Sequence, residues 1–159
     1  MSSRYIRGET DPVIAPVLTA QAVAVGDIVG LSSGNVVRAE DLAWDTDLAT
    51  TQATWATKFL GVSGQKKVAN TARVDTNGED NAIRVDCSGV YEFDCASATF
   101  AVGDLLGPAK QSGNALESQK VVAVATENLA IARVVEKGVS VTKVKARILS
   151  TKMPAARQS

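Results

Sequence analysis

The sequence predicts an all-β protein, a compact β-barrel or sandwich of two similar halves related by a pseudo-twofold, with little helix. Period-two alternation of apolar and polar residues runs through residues 83–95. Short β-branched stretches alternate with turn residues along most of the chain. An eight-residue phrase also occurs twice, as VAVGDIVG at 23–30 and FAVGDLLG at 100–107.

Composition bounds the class of protein. The 159 residues, 45% of them hydrophobic, suit one domain with a real core. Seventeen acidic and seventeen basic residues cancel, which argues against a main task of holding nucleic acid or anionic lipid and makes association of copies easy. No apolar run is long enough for a bilayer, and the start lacks a secretion signal pattern, so we expect a soluble, unsecreted protein.

The side chains available for catalysis are few. Histidine, the commonest general base and metal ligand, is absent. Cys87 and Cys95 fit no zinc spacing, and we expect both to be reduced, buried thiols. No nucleophile comes with a recognisable base. The sequence therefore predicts a protein that is not an enzyme and that holds no cofactor or metal.

The first third of the chain predicts an arm, a hairpin and an insert. Pro12 and Pro16 block a helix, so residues 1–20 are expected to form an extended N-terminal arm. Residues 28–31 and 36–37 flank a turn at 32–35 and predict a hairpin. In the insert at 40–57, Trp44, Leu48 and Trp55 have helical spacing, but several threonines weaken helix propensity. A short helix and an ordered surface segment remain open for this insert.

The middle of the chain predicts strands. Residues 59–64 form one strand, and Asn77-Gly78 is a turn signal. Residues 83–95 are expected to be a single strand bent at Gly89, because a two-residue turn there would spoil the alternation. Both cysteines would then face inward on that strand.

The last third continues the pattern. Residues 110–114 form a turn, and residues 121–125 and 129–135 are expected to pair as a hairpin. The final strand, residues 139–148, changes parity between Val141 and Val144, which indicates a bulge. Residues 151–159 are expected to be a flexible tail.

The repeated phrase starts the same series of elements each time: a turn, a short strand, a second strand and a longer strand. Within a barrel domain at 21–150, the halves are about 23–95 and 100–149, and only the first contains the insert. We expect each phrase to be a structural corner, with an inward valine, a glycine in a bend and an aspartate bonded to the turn. These residues are Val25, Gly26 and Asp27 in the first copy and Val102, Gly103 and Asp104 in the second. Replacing either glycine is expected to have the same effect.

The stretch SGVYEFDCASATFAVGDLLG at 88–107, with IARVVEKG at 131–138, resembles small phage capsid-decoration, or cement, proteins. The resemblance covers about residues 20–150. It implies a β-barrel that binds the outside of an icosahedral head of HK97-fold capsid protein and stabilises it against internal DNA pressure. The implied partners are the major capsid protein and further copies of the chain, often as a trimer, with no direct contact to nucleic acid or membrane. The implied location is the exterior of the virion, after synthesis in the host cytoplasm.

The arm is the expected contact with the capsid or a neighbouring copy. An extended segment can add a strand to an exposed sheet edge and gain main-chain hydrogen bonds. Its anchor would be Tyr5 and Ile6, flanked by Arg4 and Arg7.

Other interpretations of the sequence exist. A duplicated phrase of this kind also resembles lipoyl or biotinyl carrier domains, but the turn at Asn77-Gly78 lacks their lysine, and Lys66-Lys67 lacks flanking methionines. Residues 75–81 resemble a calcium loop, although Asp80 stands where glycine is needed and Asp86 where glutamate is needed, so a solvated acidic turn is favoured. Charge is also uneven, acidic over 75–104 and basic over 133–157. These faces either pair across strands or form complementary patches for association.

Overall fold

A computed structural model of the protein describes residues 3–70 and 82–154. In order, its elements are β1 (Arg4–Arg7), β2 (Pro12–Pro16), β3 (Ile28–Ser32), β4 (Asn35–Arg38), a 3-10 helix (Ala39–Asp41), α1 (Leu48–Lys58), β5 (Phe59–Ser63), β6 (Ala82–Asp86), β7 (Val90–Phe100), β8 (Leu105–Lys110), β9 (Leu116–Ala123), a second 3-10 helix (Glu127–Leu129), β10 (Ala132–Val134) and β11 (Gly138–Ile148). The expected compact all-β fold with little helix is confirmed.

The strands form two sheets with the same internal order. The first is β2-β6-β5-β3-β4, and the second, apart from its edge strand β1, is β7-β11-β10-β8-β9. The strands of the two sheets therefore correspond in chain order: β2 to β7, β3 to β8, β4 to β9, β5 to β10 and β6 to β11. The main difference is closure: β7 also pairs with β9 in parallel, so the second sheet becomes a closed five-stranded barrel.

The predicted single strand over residues 83–95 is wrong. Strand β6 ends at Asp86 in one sheet and β7 begins at Val90 in the other, with Gly89 in the left-handed region at φ +114° between them. The alternation is nevertheless real, and both cysteines are buried. Each half has its own interior, so the same alternation suits two successive strands that face different cores.

Three of the remaining strand predictions are confirmed, and one is wrong. The β3–β4 hairpin, strand β5 and the irregularity in β11 around Val141 are confirmed. The predicted hairpin of residues 121–125 with 129–135 is wrong, because β9 pairs with β8 and β7 while β10 pairs with β8 and β11. The second 3-10 helix separates the two strands and lets β10 lie on the other side of β8.

The N-terminal segment is extended, as expected, but it belongs to the fold rather than projecting from it. Strand β1 pairs with β7, and β2 pairs with β6 over its whole length. Ala15 and Val17 are buried in the first core. The start of the expected flexible tail is also held, because the Thr151 and Lys152 N–H groups donate to the Phe59 carbonyl. Residues 155–159 lie outside the described part.

The insert contains a helix. Asp47 caps α1 by accepting a hydrogen bond from the Thr50 N–H at 2.8 Å. Trp55 is fully buried, and the Thr51 hydroxyl donates to the Asp47 carbonyl at 2.8 Å. The threonines thus bond the backbone of their own helix, and the apolar face supplies the stability that their propensity lacks.

Two apolar cores result. One fills the interior of the first half and includes Val29, Ile83 and Val85. The other fills the closed barrel and extends to Trp55 and to the outer face of the first half, through Ile28 and Val62. Among the described residues, no helix combines the length and apolar character needed to cross a membrane.

Candidate functional site

Both copies of the repeated phrase form the same corner. In each, the glycine N–H donates to the carbonyl of one residue in the neighbouring strand. The N–H of that same residue donates to the aspartate carbonyl. The aspartate N–H donates to the alanine carbonyl, and its Oδ2 accepts from the alanine N–H. The residues are Ala24, Gly26, Asp27 and Ser63 in the first corner and Ala101, Gly103, Asp104 and Val134 in the second, with donor–acceptor distances of 2.8–3.1 Å.

The glycines are required by their backbone. Gly26 has φ +93° and Gly103 has φ +96°, a region that L side chains rarely adopt. The predicted orientation of the valines is wrong, because Val25 is 57% exposed and Val102 is 67% exposed. The aspartate folds back beneath the bend, so the valine lies outside it. The inward apolar side chain is instead the first residue of each phrase, Val23 or Phe100.

The first corner is covered by other parts of the chain. A Cβ added to Gly26 would lie 2.6 Å from the Ser3 carbonyl oxygen. Gln119 of β9 donates to Asp27 Oδ1 at 2.9 Å and accepts from the Ser3 N–H at 3.1 Å. This corner therefore joins the N-terminal segment to the second half of the molecule.

The second corner is open. A Cβ added to Gly103 would meet no atom within 4 Å. The two glycines thus have different surroundings, so we no longer expect their replacement to have the equal effect predicted from sequence. Beside the open corner lies a cavity of about 400 Å³, here called the arginine groove. Its lining includes Arg7, Arg133, Arg147, Val102, Val135 and Leu149.

Strand register brings the arginines of this groove together. Arg7 is opposite Val90, which is opposite Arg147, and Arg147 is opposite Arg133. Residues directly opposite each other share a face of the sheet, so the three guanidinium groups lie in one row across β1, β7, β11 and β10. Arg133 also donates to the Gly103 carbonyl at 3.1 Å, which ties the row to the open corner.

The uneven charge noted in the sequence is partly resolved within the molecule. Lys143 of β11 lies 2.6 Å from Asp94 of β7, and this hydrogen bond raises the pKa of Lys143. Arg4 lies 3.0 Å from Glu92. One ion pair, Lys143–Asp94, thus joins the acidic and basic stretches across strands, as the first of the two interpretations expects.

The predicted contact residues Arg4, Tyr5, Ile6 and Arg7 form β1. Tyr5 is 48% exposed, packs edge-on against Tyr91 with ring centroids 5.7 Å apart, and donates to the Gly8 carbonyl. In the described part of the chain, no strand pairs with the outer edge of β1. The segment thus presents an edge to its surroundings, although one side of it is already paired.

The carrier interpretation finds little support, and the calcium interpretation falls mostly on residues outside the described ranges. Lys67 is 3% exposed, and its Nζ donates to the carbonyls of Thr19, Gln21 and Val68, so it is enclosed rather than presented for modification. Residues 75–81, with the Asn77-Gly78 turn, lie outside the described residues. Asp86 is buried and accepts from the Tyr91 hydroxyl at 2.7 Å. Within the described ranges, no group of three or more acidic or sulfur ligands could hold a metal ion.

Both cysteines are free and buried. Burial, with the nearby charges of Asp11 and Asp86, raises the pKa of Cys87 to about 12. Burial also raises the pKa of Cys95. Both side chains are therefore neutral thiols that fill the cores, as their alternation in the sequence predicted.

Comparison with known proteins finds no matching family model, curated protein or solved structure. Functional inference thus depends on the residues of this chain. Sequence reasoning identified both corners but missed the arginine groove. Its arginines are far apart in sequence, and only the pairing of four strands aligns them.

Proposed function

We propose that the protein decorates and stabilises a phage capsid by binding the outer surface of an HK97-fold icosahedral head. The observation that carries this proposal is the resemblance of residues 88–107 and 131–138 to capsid-decoration proteins. The partners proposed are the major capsid protein and further copies of the chain, in a trimer.

The two resembling stretches form one unit. The first supplies β7, the open corner and the start of β8, and the second supplies β10. They are joined by the corner hydrogen bonds between Gly103, Asp104 and Val134 and by the pairing of Leu106 with Ala132. The resemblance therefore concerns a contiguous part of the closed barrel, rather than two unrelated segments.

The surface offers contacts suited to binding another protein. Large apolar side chains are exposed on both halves, among them Tyr5, Ile14, Leu18, Val102 and Val139. Strand β1 lies at the end of its sheet, and an edge strand can accept a strand from a neighbour. The proposed contact of Arg4–Arg7 is thus through the outer edge of β1 and its exposed side chains.

The test is direct addition of the purified protein to expanded, undecorated heads, followed by cryo-microscopy. We expect density on the outer surface where capsid subunits meet, with copies in mutual contact. A ligand that prefers the mature shell also stabilises it by mass action, so decorated heads are expected to resist heating better. Heads that remain bare at saturating protein would refute the proposal.

A pair of variants tests the contact separately. Arg4→Glu with Tyr5→Ser is expected to weaken decoration. The control, Lys58→Glu with Val139→Ser, carries the same change of charge and also removes an exposed apolar side chain, but away from β1, and is expected to bind like the unaltered protein. Decoration that both variants retain equally would eliminate the β1 contact while leaving the capsid role intact.

A further inference from the structure

We propose that the arginine groove is a docking site for an acidic, partly apolar segment of another protein. This inference stands independently of attachment to a capsid. It depends on the charge of the groove, on its apolar walls and on what covers the corresponding face of the first half.

The groove holds excess positive charge. Arg7, Arg133 and Arg147 line it, and no acidic residue is part of its lining in the described structure. The only ion pair of these arginines within the described residues joins Arg133 to the exposed Glu127, at 2.8 Å. Asp11 lies beyond Arg147, in an adjoining cavity. Carboxylates are the natural complement of such a set, because guanidinium groups bind them in charge-assisted, often bidentate, hydrogen bonds.

The groove contains a like-charge pair that Glu127 offsets at Arg133 alone. Arg133 and Arg147 are directly opposite each other in the β10–β11 ladder. Like charges at such positions destabilise a sheet. An anionic partner that binds between Arg133 and Arg147 would replace this repulsion with attraction to both.

The walls favour a peptide over other anions. Val102 and Leu149 are exposed, and both contribute apolar surface beside the guanidinium groups. A protein segment can supply carboxylates and apolar side chains together, whereas a nucleic-acid backbone supplies only the charge. The zero net charge of the chain also gives little long-range attraction for nucleic acid.

In the first half, the equivalent face of the sheet is buried inside the molecule. Leu105, Arg133 and Arg147 form a row across β8, β10 and β11, and their counterparts are Ile28, Val62 and Asp86. These three counterparts are buried, and Ile28 and Val62 pack into the core of the second half. The same face is thus an intramolecular interface in one half and an exposed arginine surface in the other.

The test uses the full chain, labelled with ¹⁵N, and the peptide acetyl-ELDVE-amide as a probe at low salt. We expect the peptide to shift the amide signals of Val102, Arg133 and Arg147. Probes with amides in place of the carboxylates, or serines in place of Leu and Val, are expected to bind more weakly. Duplex DNA and anionic phosphatidylglycerol vesicles serve as the competing classes.

Variants locate the site. Arg133→Gln with Arg147→Gln is expected to weaken peptide binding about tenfold, whereas the control Lys58→Gln with Lys152→Gln changes it less than about twofold. Arg147→Gln alone is expected to leave the melting temperature unchanged or higher, because it removes a like-charge pair. Shifts elsewhere, undiminished binding by the double arginine variant, or tighter binding of DNA or vesicles would each overturn the proposal.

Discussion

The two corners have the same sequence pattern, the same hydrogen bonds and nearly the same φ, yet their surroundings differ. The first lies beneath Ser3 and Gln119, and the second lies open beside the arginine groove. A repeated phrase thus determines its own local geometry but not its neighbours. The difference shows how one motif can serve cohesion in one half while leaving the corresponding surface of the other half exposed.

The halves also differ in closure, and a proline helps to explain it. Ser63 and Val134 occupy equivalent places in the two corners. Following the strand pairing outward from them shows that Pro16 of β2 is equivalent to Asp94 of β7. Asp94 is where β7 meets β9 and closes the barrel. Proline has no N–H to donate, and β2 and β4 come near each other without forming a ladder. The first half stays an open sheet.

The largest expected effect separates the two glycines. Gly103→Ala introduces only backbone strain and is expected to lower the free energy of unfolding by about 1 kcal/mol. Gly26→Ala adds a clash with Ser3 and is expected to cost about 3 kcal/mol. Urea unfolding of both variants measures the difference. Equal losses of unfolding free energy would mean that Ser3 moves away easily and that the N-terminal segment packs loosely over the first corner.

The aspartates are expected to differ next. Asp27→Ala removes the acceptor of the Ala24 N–H and one of the two acceptors of the Gln119 side-chain amide at a part-buried site, at a cost of about 2 kcal/mol. Asp104→Ala exposes one N–H to water, so its cost is expected to be below about 1 kcal/mol.

A Gln119→Ala background sharpens this comparison. Without the glutamine, the two aspartate substitutions are expected to have more similar costs, which a double-mutant cycle measures. A gap between them that persists unchanged in this background would show that Gln119 does not cause the difference.

A smaller effect concerns local opening. Strands β2 and β4 are edges of an open sheet, whereas β7 and β9 close a barrel. We expect amide hydrogens of β2 and β4 to exchange with solvent faster than those of β7 and β9, because local opening at an edge breaks fewer hydrogen bonds. Exchange followed by mass spectrometry or NMR tests this, and equal protection would contradict the role given to closure.

The smallest effect is the reactivity of the two thiols. A raised pKa keeps Cys87, in the first half, and Cys95, in the second, protonated at neutral pH. Iodoacetamide at pH 8 is expected to modify neither in the folded protein and both after unfolding. For Cys87 the rate is expected to keep rising with pH and to level off only near about 12, above the ordinary range of a thiol. Rapid labelling of one cysteine under native conditions would indicate that its half opens readily.

The sequence predicted the secondary structure of each half better than the connections between elements. Turn residues and alternation identified the β3–β4 hairpin, strand β5 and the irregularity in β11, because these depend on neighbouring residues. The same alternation merged β6 and β7, since period two shows that a side chain is buried but not in which core. The predicted β9–β10 hairpin failed for a similar reason, because pairing partners are chosen by the whole sheet.

The corners were predictable because glycine and aspartate act locally, through a left-handed backbone and a side-chain hydrogen bond. The cover over Gly26 was not predictable, because Ser3 and Gln119 are far from it in sequence. The orientation of Val25 and Val102 was likewise decided by the aspartate that fills the inside of the bend, which a simple alternation of faces does not describe.

The covered corner has a consequence for symmetry. Two separate, identical half-chains in a closed symmetric dimer must have equivalent environments, so both corners would be covered or both left bare. Joining the halves in one polypeptide removes that requirement. Gln119 can then donate to Asp27 at the first corner although no residue covers Gly103 at the second. The residues around the second corner can change without weakening the first.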